Sequence, residues 1–266
     1  MEAQPRRAPW LWPILLMIGG VILLLKNFLL IDFDVRPYWP ILLLALGVQL
    51  LVRGDIGPSW QAHTFGITRG SVQSGSLEIE SGELDVQLRA LRKSGRLIAG
   101  QYTARSRPAL TVRNNHATLR MQRGQTWWLS LADWDVGLAH DLPWGVLVSS
   151  HLGRLEIDLR GLVIDRAYVS SGLGSVSVVC PEQTSGPVVA RSTFGDVRLT
   201  VAPDSRAIIR VNPGAFGRVR VDATRFALCE PGVYATVGHN GQDGAGGEPP
   251  DLTVVASTVF GSIYIS

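Results

Sequence analysis

Charge and cysteine are both scarce in this sequence. Asp, Glu, Lys and Arg together make up 18% of the 266 residues, and the mean hydropathy is positive at +0.18. That balance is unusual for a wholly soluble protein and points to a membrane segment. The two cysteines, Cys180 and Cys229, cannot make a disulfide framework. Cys180 falls on the inward parity of a strand and reads as a buried free thiol. The five histidines (His63, His116, His140, His151 and His239) stand without partners at metal-ligand spacing. Gly172-Leu173-Gly174 and Gly244-Ala245-Gly246-Gly247 are not phosphate loops, because no strand–loop–helix context and no Lys-Ser/Thr accompanies them. Net charge is +3, carried mostly by single outward positions, not by the clustered face that nucleic acid needs. No metal, cofactor or nucleic-acid partner is expected.

What the sequence does have is repetition. Five times a large apolar residue precedes a glycine and then an alternating run. These are Leu152-Gly153-Arg154-Leu155-Glu156-Ile157, Leu173-Gly174-Ser175-Val176-Ser177-Val178, Phe194-Gly195-Asp196-Val197-Arg198-Leu199, Phe216-Gly217-Arg218-Val219-Arg220-Val221 and Phe260-Gly261-Ser262-Ile263-Tyr264-Ile265. The corner glycines Gly153, Gly174, Gly195, Gly217 and Gly261 are 21, 21, 22 and 44 residues apart, so the last gap predicts one degenerate turn hidden inside it. A fixed period near 21 residues marks stacked coils, each too small to bury its own apolar face. Positions +2 and +4 from each glycine are aliphatic and +1 and +3 mostly polar, the alternation of a strand with one buried face. The apolar residue before each glycine is expected to turn inward through a bend that glycine tolerates. Ser/Thr corners (Ser149-Ser150, Ser170-Ser171, Ser192-Thr193, Ser257-Thr258) lie just upstream, after short apolar runs such as Val146-Leu147-Val148. The fold class that follows is all-β, a β-solenoid with coils of about 21 residues, each carrying at least two short strands.

The N-terminal part is different. After a polar tail at 1–9, Trp12-Pro13-Ile14-Leu15-Leu16 returns as Trp39-Pro40-Ile41-Leu42-Leu43. Leu11 to Ile31 would rise about 31 Å as a helix, matching a hydrocarbon core of roughly 30 Å. Trp39 to Val52 would rise roughly 21 Å and crosses a thinned bilayer or re-enters. Residues 10–53 therefore read as an α-helical transmembrane hairpin. Gly19, Gly20, Ala45 and Gly47 allow close helix–helix approach. Arg6, Arg7 and Arg53 flank it, against Asp32, Asp34 and Arg36 in the connecting loop, which places both chain ends in the cytoplasm. A cleaved signal peptide is not expected, since the apolar run is too long and a second one follows at once.

Residues 54–71 read as a linker. Residues 72–145 read as a β-rich cap on the solenoid, longer-stranded and antiparallel in part, with turns at Asn114-Asn115 and Arg123-Gly124. Within it, Gly82-Glu83-Leu84-Asp85-Val86-Gln87-Leu88 has the cadence of the later coils. Trp127, Trp128, Trp134 and Trp144 gather here, as a closing lid for the stack in preference to an aromatic ligand platform. Residues 146–266 carry the repeats, with a flexible loop at 241–250. The final strand ends the chain without a visible cap, so Ser262, Tyr264 and Ser266 mark the expected self-association edge of a homo-oligomer.

Catalysis needs converging polar groups, and none stand out. Reading the outward positions coil by coil gives Arg154, Ser175, Asp196, Arg218 and Ser262, then Glu156, Ser177, Arg198, Arg220 and Tyr264. Glu156 and Asp158 share one strand face, but the neighbouring coils offer no second carboxylate pair for a glycosidase-type dyad. The expectation is a non-enzymatic protein.

The twin Trp-Pro-Ile-Leu-Leu segments resemble the membrane region of LiaF-like bacterial envelope-stress proteins. Residues 76–266 resemble their C-terminal toast-rack domain. The matching elements are Ser81-Gly82-Glu83-Leu84, Trp134-Asp135-Val136-Gly137-Leu138, Leu142-Pro143-Trp144, Leu155-Glu156-Ile157-Asp158-Leu159-Arg160-Gly161-Leu162 and the Gly-x-Gly-x-Val pattern from Gly172, closed by Pro181. Only the Gly172-Leu173-Gly174 corner keeps both glycines that the family usually has. The resemblance implies a membrane-anchored, cytoplasm-facing regulator or scaffold, with the lipid bilayer and a sensor kinase or other membrane protein as partners. The alternatives are a self-assembling structural scaffold and an exported glycan-binding domain.

Overall fold

The computed structural model of the protein describes residues 62–91, 95–103, 106–123, 133–214, 216–237 and 250–266. The chain divides between Val52 and Arg53, and every described residue belongs to the second unit. The expected transmembrane hairpin with Gly19, Gly20, Ala45 and Gly47, together with Trp127, Trp128 and residues 241–249 of the expected loop, lies outside the described residues.

Among the described residues there are strands and no helix. In chain order they open with β1 (Ala62–Thr68), β2 (Ser74–Glu80), β3 (Asp85–Ala90) and β4 (Arg96–Thr103). Next come β5 (Ala109–Arg113), β6 (His116–Gln122) and β7 (Asp133–Leu138). The repeats supply β8 (Pro143–Ser150), β9 (Leu155–Asp158), β10 (Val163–Ser171), β11 (Val176–Val179), β12 (Val188–Phe194) and β13 (Val197–Thr200). The chain closes with β14 (Ala207–Pro213), β15 (Arg218–Val221), β16 (Phe226–Glu230), β17 (Val233–Thr236), β18 (Leu252–Phe260) and β19 (Ser262–Ile265). They form two sheets, ordered β1-β4-β7-β3-β9-β11-β13-β19-β15 and β16-β17-β14-β18-β12-β10-β8-β2-β6-β5.

Each repeat is one rung, giving one strand to each sheet, and successive rungs pair in parallel and in register. Val176 faces Leu155 on one side and Val197 on the other; Ala167 lies between Val146 and Val188. Parallel pairing follows from the period, because every rung re-enters from the same corner. The inward aliphatics Leu155, Ile157, Val176, Val178, Val197, Leu199, Ile263 and Ile265 are at most 3% exposed. Burying such a side chain contributes about 1.5–3 kcal/mol, and this two-layer stack of aliphatic rows is what holds the rungs together. The all-β solenoid reading of the sequence holds.

Its details need four corrections. Residues 62–68 of the expected linker form β1, antiparallel to β4. The region 72–145 is not simply a cap, because β2 and β3 are a full rung, parallel to β8 and β9. β6 and β7 stack on that rung in parallel too. Only β1, β4 and β5 close this end in antiparallel fashion. The β5–β6 turn does sit at Asn114-Asn115, both in the left-handed region at φ 49° and 61°, as a two-residue hairpin requires.

The third correction concerns the long gap before Gly261. Instead of a hidden rung it holds the antiparallel hairpin β16–β17, which pairs with the edge of β14. The fourth concerns the chain's end. β18 and β19 insert between the β12–β13 rung and the β14–β15 rung. Ser262, Tyr264 and Ser266 are therefore not at a free edge: β19 is hydrogen-bonded on both sides, and β15 is the outer strand.

Two tryptophans sit at the first rungs, fully buried, so neither forms an exposed platform. The Trp144 indole N–H donates to Ala139 O at 2.8 Å. Its ring lies over Gly75, where a Cβ would come within 2.3 Å of it; that contact selects glycine near the start of β2.

Candidate interaction surface

The recurrent corner is built by three stacked rows. Each corner glycine lies against the backbone carbonyl of the rung before it. A Cβ at Gly153 would stand 1.9 Å from Leu84 O, at Gly174 2.0 Å from Gly153 O, at Gly195 2.4 Å from Gly174 O, at Gly261 2.2 Å from Gly195 O and at Gly217 2.9 Å from Gly261 O. Close stacking, more than local bending, is why glycine recurs. The second row consists of buried hydroxyls three residues upstream. Ser150 Oγ donates to Gly82 O (3.0 Å), Ser171 Oγ to Gly153 O (3.2 Å), Ser192 Oγ to Gly174 O (2.9 Å) and Thr258 Oγ1 to Gly195 O (3.1 Å). At Gly153, Gly174 and Gly195 they give the carbonyl a partner that the turn does not supply, while Gly82 O also accepts the His151 and Leu152 backbone N–H. The Ser/Thr-rich corners thus have a structural task.

The third row overturns an expectation. With glycine and, at four of the five corners, a hydroxyl filling the inner side, no room is left there for the apolar residue before each glycine. Leu152, Leu173, Phe194, Phe260 and Phe216 point outward instead, exposed to 40%, 54%, 48%, 41% and 76%. They run as a ladder down one corner of the rod. Phe194 and Phe260 stack at 4.7 Å between ring centroids, and Phe216 stacks on Phe260 at 5.6 Å. A second apolar row crosses the outer face of the ten-stranded sheet through Leu147, Tyr168, Val189 and Val255, joined in register. Contiguous outward apolar rows of this kind are candidate interaction surfaces.

Around the ladder the polar groups form short-range pairs. Arg154 lies 3.9 Å from Glu156, Arg198 4.0 Å from Asp196 and Arg160 2.6 Å from Asp158. Hydrogen bonds from Arg160 hold the Asp158 carboxyl below its usual range. Tyr264 is sandwiched between Arg198 and Arg220, each guanidinium 5.6 Å from the ring centroid. These contacts order the face.

One grouping escaped the sequence. Asp133 pairs with Asp85 across β7 and β3, and Glu156 follows on β9. Burial first, then the charges of Asp85 and Glu156, push the Asp133 carboxyl above its usual value. The first rung is offset by two residues from the later ones, Val86 lying beside Leu155; counting from the glycine therefore misplaces Asp85. Asp85 itself accepts the Arg154 backbone N–H at 2.6 Å, a structural use. No three His, Cys, Asp or Glu side chains among the described residues are grouped to hold a metal ion.

The buried free thiol expected at Cys180 is found. Cys180 is buried and its thiol is pushed up to about 12 by burial, while Cys229 is exposed. His116 lies between the hydroxyls of Ser74 (2.7 Å) and Ser76 (2.9 Å). His151 is exposed at the corner and uses its backbone, donating to Gly82 O at 2.7 Å.

Known proteins bear on both parts of the chain. Residues 10–51 match the family model described as the LiaI-LiaF-like transmembrane region. No curated protein matches the sequence. Among solved structures, a protein from Clostridium sporogenes ATCC 15579 named for cell adhesion superposes with a TM-score of 0.65 at 15% identity, over 77% of this chain and 97% of that one. An adhesin-named protein from Bacteroides fragilis NCTC 9343 aligns over 79% of this chain and 99% of that one, with a TM-score of 0.31 and 10% identity. The first shares the fold; the second is too distant in shape to add to it.

Proposed function

We propose that this protein, carrying a LiaI-LiaF-like transmembrane region at residues 10–51, is a non-enzymatic membrane regulator whose β-solenoid binds a signalling partner. The membrane part is a helical hairpin packed through Gly19, Gly20, Ala45 and Gly47, with both chain ends in the cytoplasm. The partner is a membrane protein such as an envelope-stress sensor kinase. The observation that carries this reading is the outward ladder Leu152–Leu173–Phe194–Phe260–Phe216. A stack of identical corners costs little to order on binding, and exposed Phe rings in a row supply the large apolar anchors typical of interface centres.

An exported orientation would suit the adhesion name of the Clostridium protein. Reporter fusions at both termini separate the two: cytoplasmic reporters active at both ends support the regulator, and an exported C-terminus contradicts it. Affinity capture of the full chain from membranes, with and without Phe216→Ser, then tests the ladder. Recovery of a sensor kinase that the substitution abolishes is the expected result; kinase recovery unaffected by it, or recovery of the chain alone, counts against the reading.

A further inference from the structure

We propose that the outer edge of β15 is a docking strand for an extended peptide segment of a partner protein, acidic on one face and apolar on the other, added to the solenoid as one more rung. This rests on the reading that the rod binds a protein, and it names the surface and the chemistry of what binds.

The backbone is the first ground. In earlier rungs the inward residues donate their N–H to the next rung: Leu155 to Ser175 O at 3.0 Å and Val176 to Asp196 O at 2.9 Å. The alternate residues donate backward, as Asp222 does to Ile265 O at 3.0 Å. By that alternation the N–H and C=O groups of Val219 and Val221 face away from β19. Among the described residues no strand lies beyond β15 to receive them. The opposite sheet continues past this point with β17 and β16, so the nine-stranded sheet stops two strands short. Burial is the second ground. Val219 and Val221 are only half-buried, whereas the equivalent pairs in the other four repeats are covered almost completely. Phe216, at 76%, is the most exposed member of the ladder. One further rung would cover all three.

Charge identifies the occupant. Arg218 and Arg220 alternate with the valines and are exposed on the outer face. Arg220 rests on Tyr264, and the adjacent Arg198 has Asp196 at 4.0 Å. Among the described residues no ion pair joins Asp222 to Arg218 or Arg220; its carboxylate accepts the Thr224 N–H (3.0 Å) and hydroxyl (2.6 Å). Pairing with the same sheet of a second copy does not fit. β15 against β15 would set arginine beside arginine, which is destabilising across strands. The β1 edge of another copy, outermost among the described residues, reads Ala-His-Thr-Phe-Gly-Ile-Thr and offers no carboxylate. A strand with acidic residues opposite Arg218 and Arg220, and aliphatics opposite Val219 and Val221, satisfies hydrogen bonding, burial and charge together. Edge addition of this kind takes affinity from the main chain and specificity from alternate side chains.

The test uses the full chain in detergent micelles and two fluorescein-labelled peptides written in the grammar of a rung, Phe-Gly-Glu-Val-Glu-Val and Phe-Gly-Lys-Val-Lys-Val, followed by anisotropy. The acidic peptide should bind at least about tenfold more tightly than the basic one. The double variant R218E/R220E should invert that preference. Val219→Pro, which removes an outward N–H while leaving the arginines, should weaken the acidic peptide about tenfold. Far-UV circular dichroism checks that each variant keeps the wild-type fold. Equal binding of the two peptides, no response to R218E/R220E, or a dimer that Val219→Pro dissolves would each overturn the proposal. Failure of kinase capture with peptide binding as stated removes the regulator reading and leaves the docking edge standing. A kinase captured equally by wild type and R218E/R220E does the reverse.

Discussion

A single methyl group separates a rung that stacks from one that cannot. The Cβ of Gly174→Ala would fall 2.0 Å from a backbone oxygen that cannot move without shifting its own rung. This substitution should cost about 3 kcal/mol or more, the scale of overpacking a tight core, and lower Tm by roughly 6–12 °C for a domain of this size. Gly145→Ala is the matched control, because its Cβ would meet nothing nearer than Ser76 Oγ at 3.6 Å; its Tm should stay close to wild type. Thermal melts of the two variants side by side check both. At Asp133 the effect is electrostatic and depends on pH. Its carboxyl titrates higher in the folded state than in the unfolded chain, so the folded state binds more protons and gains stability as pH falls through that range. At pH 7 the ionised group opposes Asp85, and Asp133→Asn should stabilise by about 0.5 kcal/mol, the scale of a like-charge cross-strand contact. The gain should shrink as the pH is lowered toward 4, which urea denaturation at the two pH values reads directly.

Elements show how far the sequence could be read and where it stopped. The two strands of each rung, their inward aliphatics and the buried thiol of Cys180 follow from the 21-residue period and its alternation. Three features do not. Hydrophobicity alone sends Leu152, Leu173 and the three phenylalanines inward; what turns them out is the space taken by a glycine and, at four of the five corners, a hydroxyl, a matter of backbone approach between rungs. The order of rungs is hidden for a related reason. Phe194, Phe216 and Phe260 begin nearly identical motifs, so nothing local says which lies beside which. The choice is made by the β16–β17 hairpin, which covers the edge of β14 and leaves the far side of that strand for β18. The Asp85–Asp133–Glu156 grouping was missed because the first rung runs two residues out of step. Since β19 lies between β13 and β15, a chain ending at Gly261 should lose the buried Ile263 and Ile265, about 3–6 kcal/mol, and should melt earlier or lose the β15 end. Circular dichroism melts of that shortened chain check it, and an unchanged Tm would put β19 at the periphery.

For the molecule as a whole, the order Leu152–Leu173–Phe194–Phe260–Phe216 joins architecture to function: the stacking that buries glycine and hydroxyl inside is what presents an apolar ladder outside. Paired cysteines test both halves at once. In a Cys229→Ser background, Phe194→Cys with Phe260→Cys, Phe216→Cys with Phe260→Cys, and Phe194→Cys with Phe216→Cys are oxidised mildly and assayed for an intramolecular disulfide, with maleimide labelling before oxidation. Adjacent strands lie within disulfide reach and strands one rung further apart do not. The first two pairs should cross-link, the third should not, and every introduced thiol should label readily in the folded protein. Cross-linking of 194 to 216 without 260, or thiols that label only after denaturation, would contradict the stack.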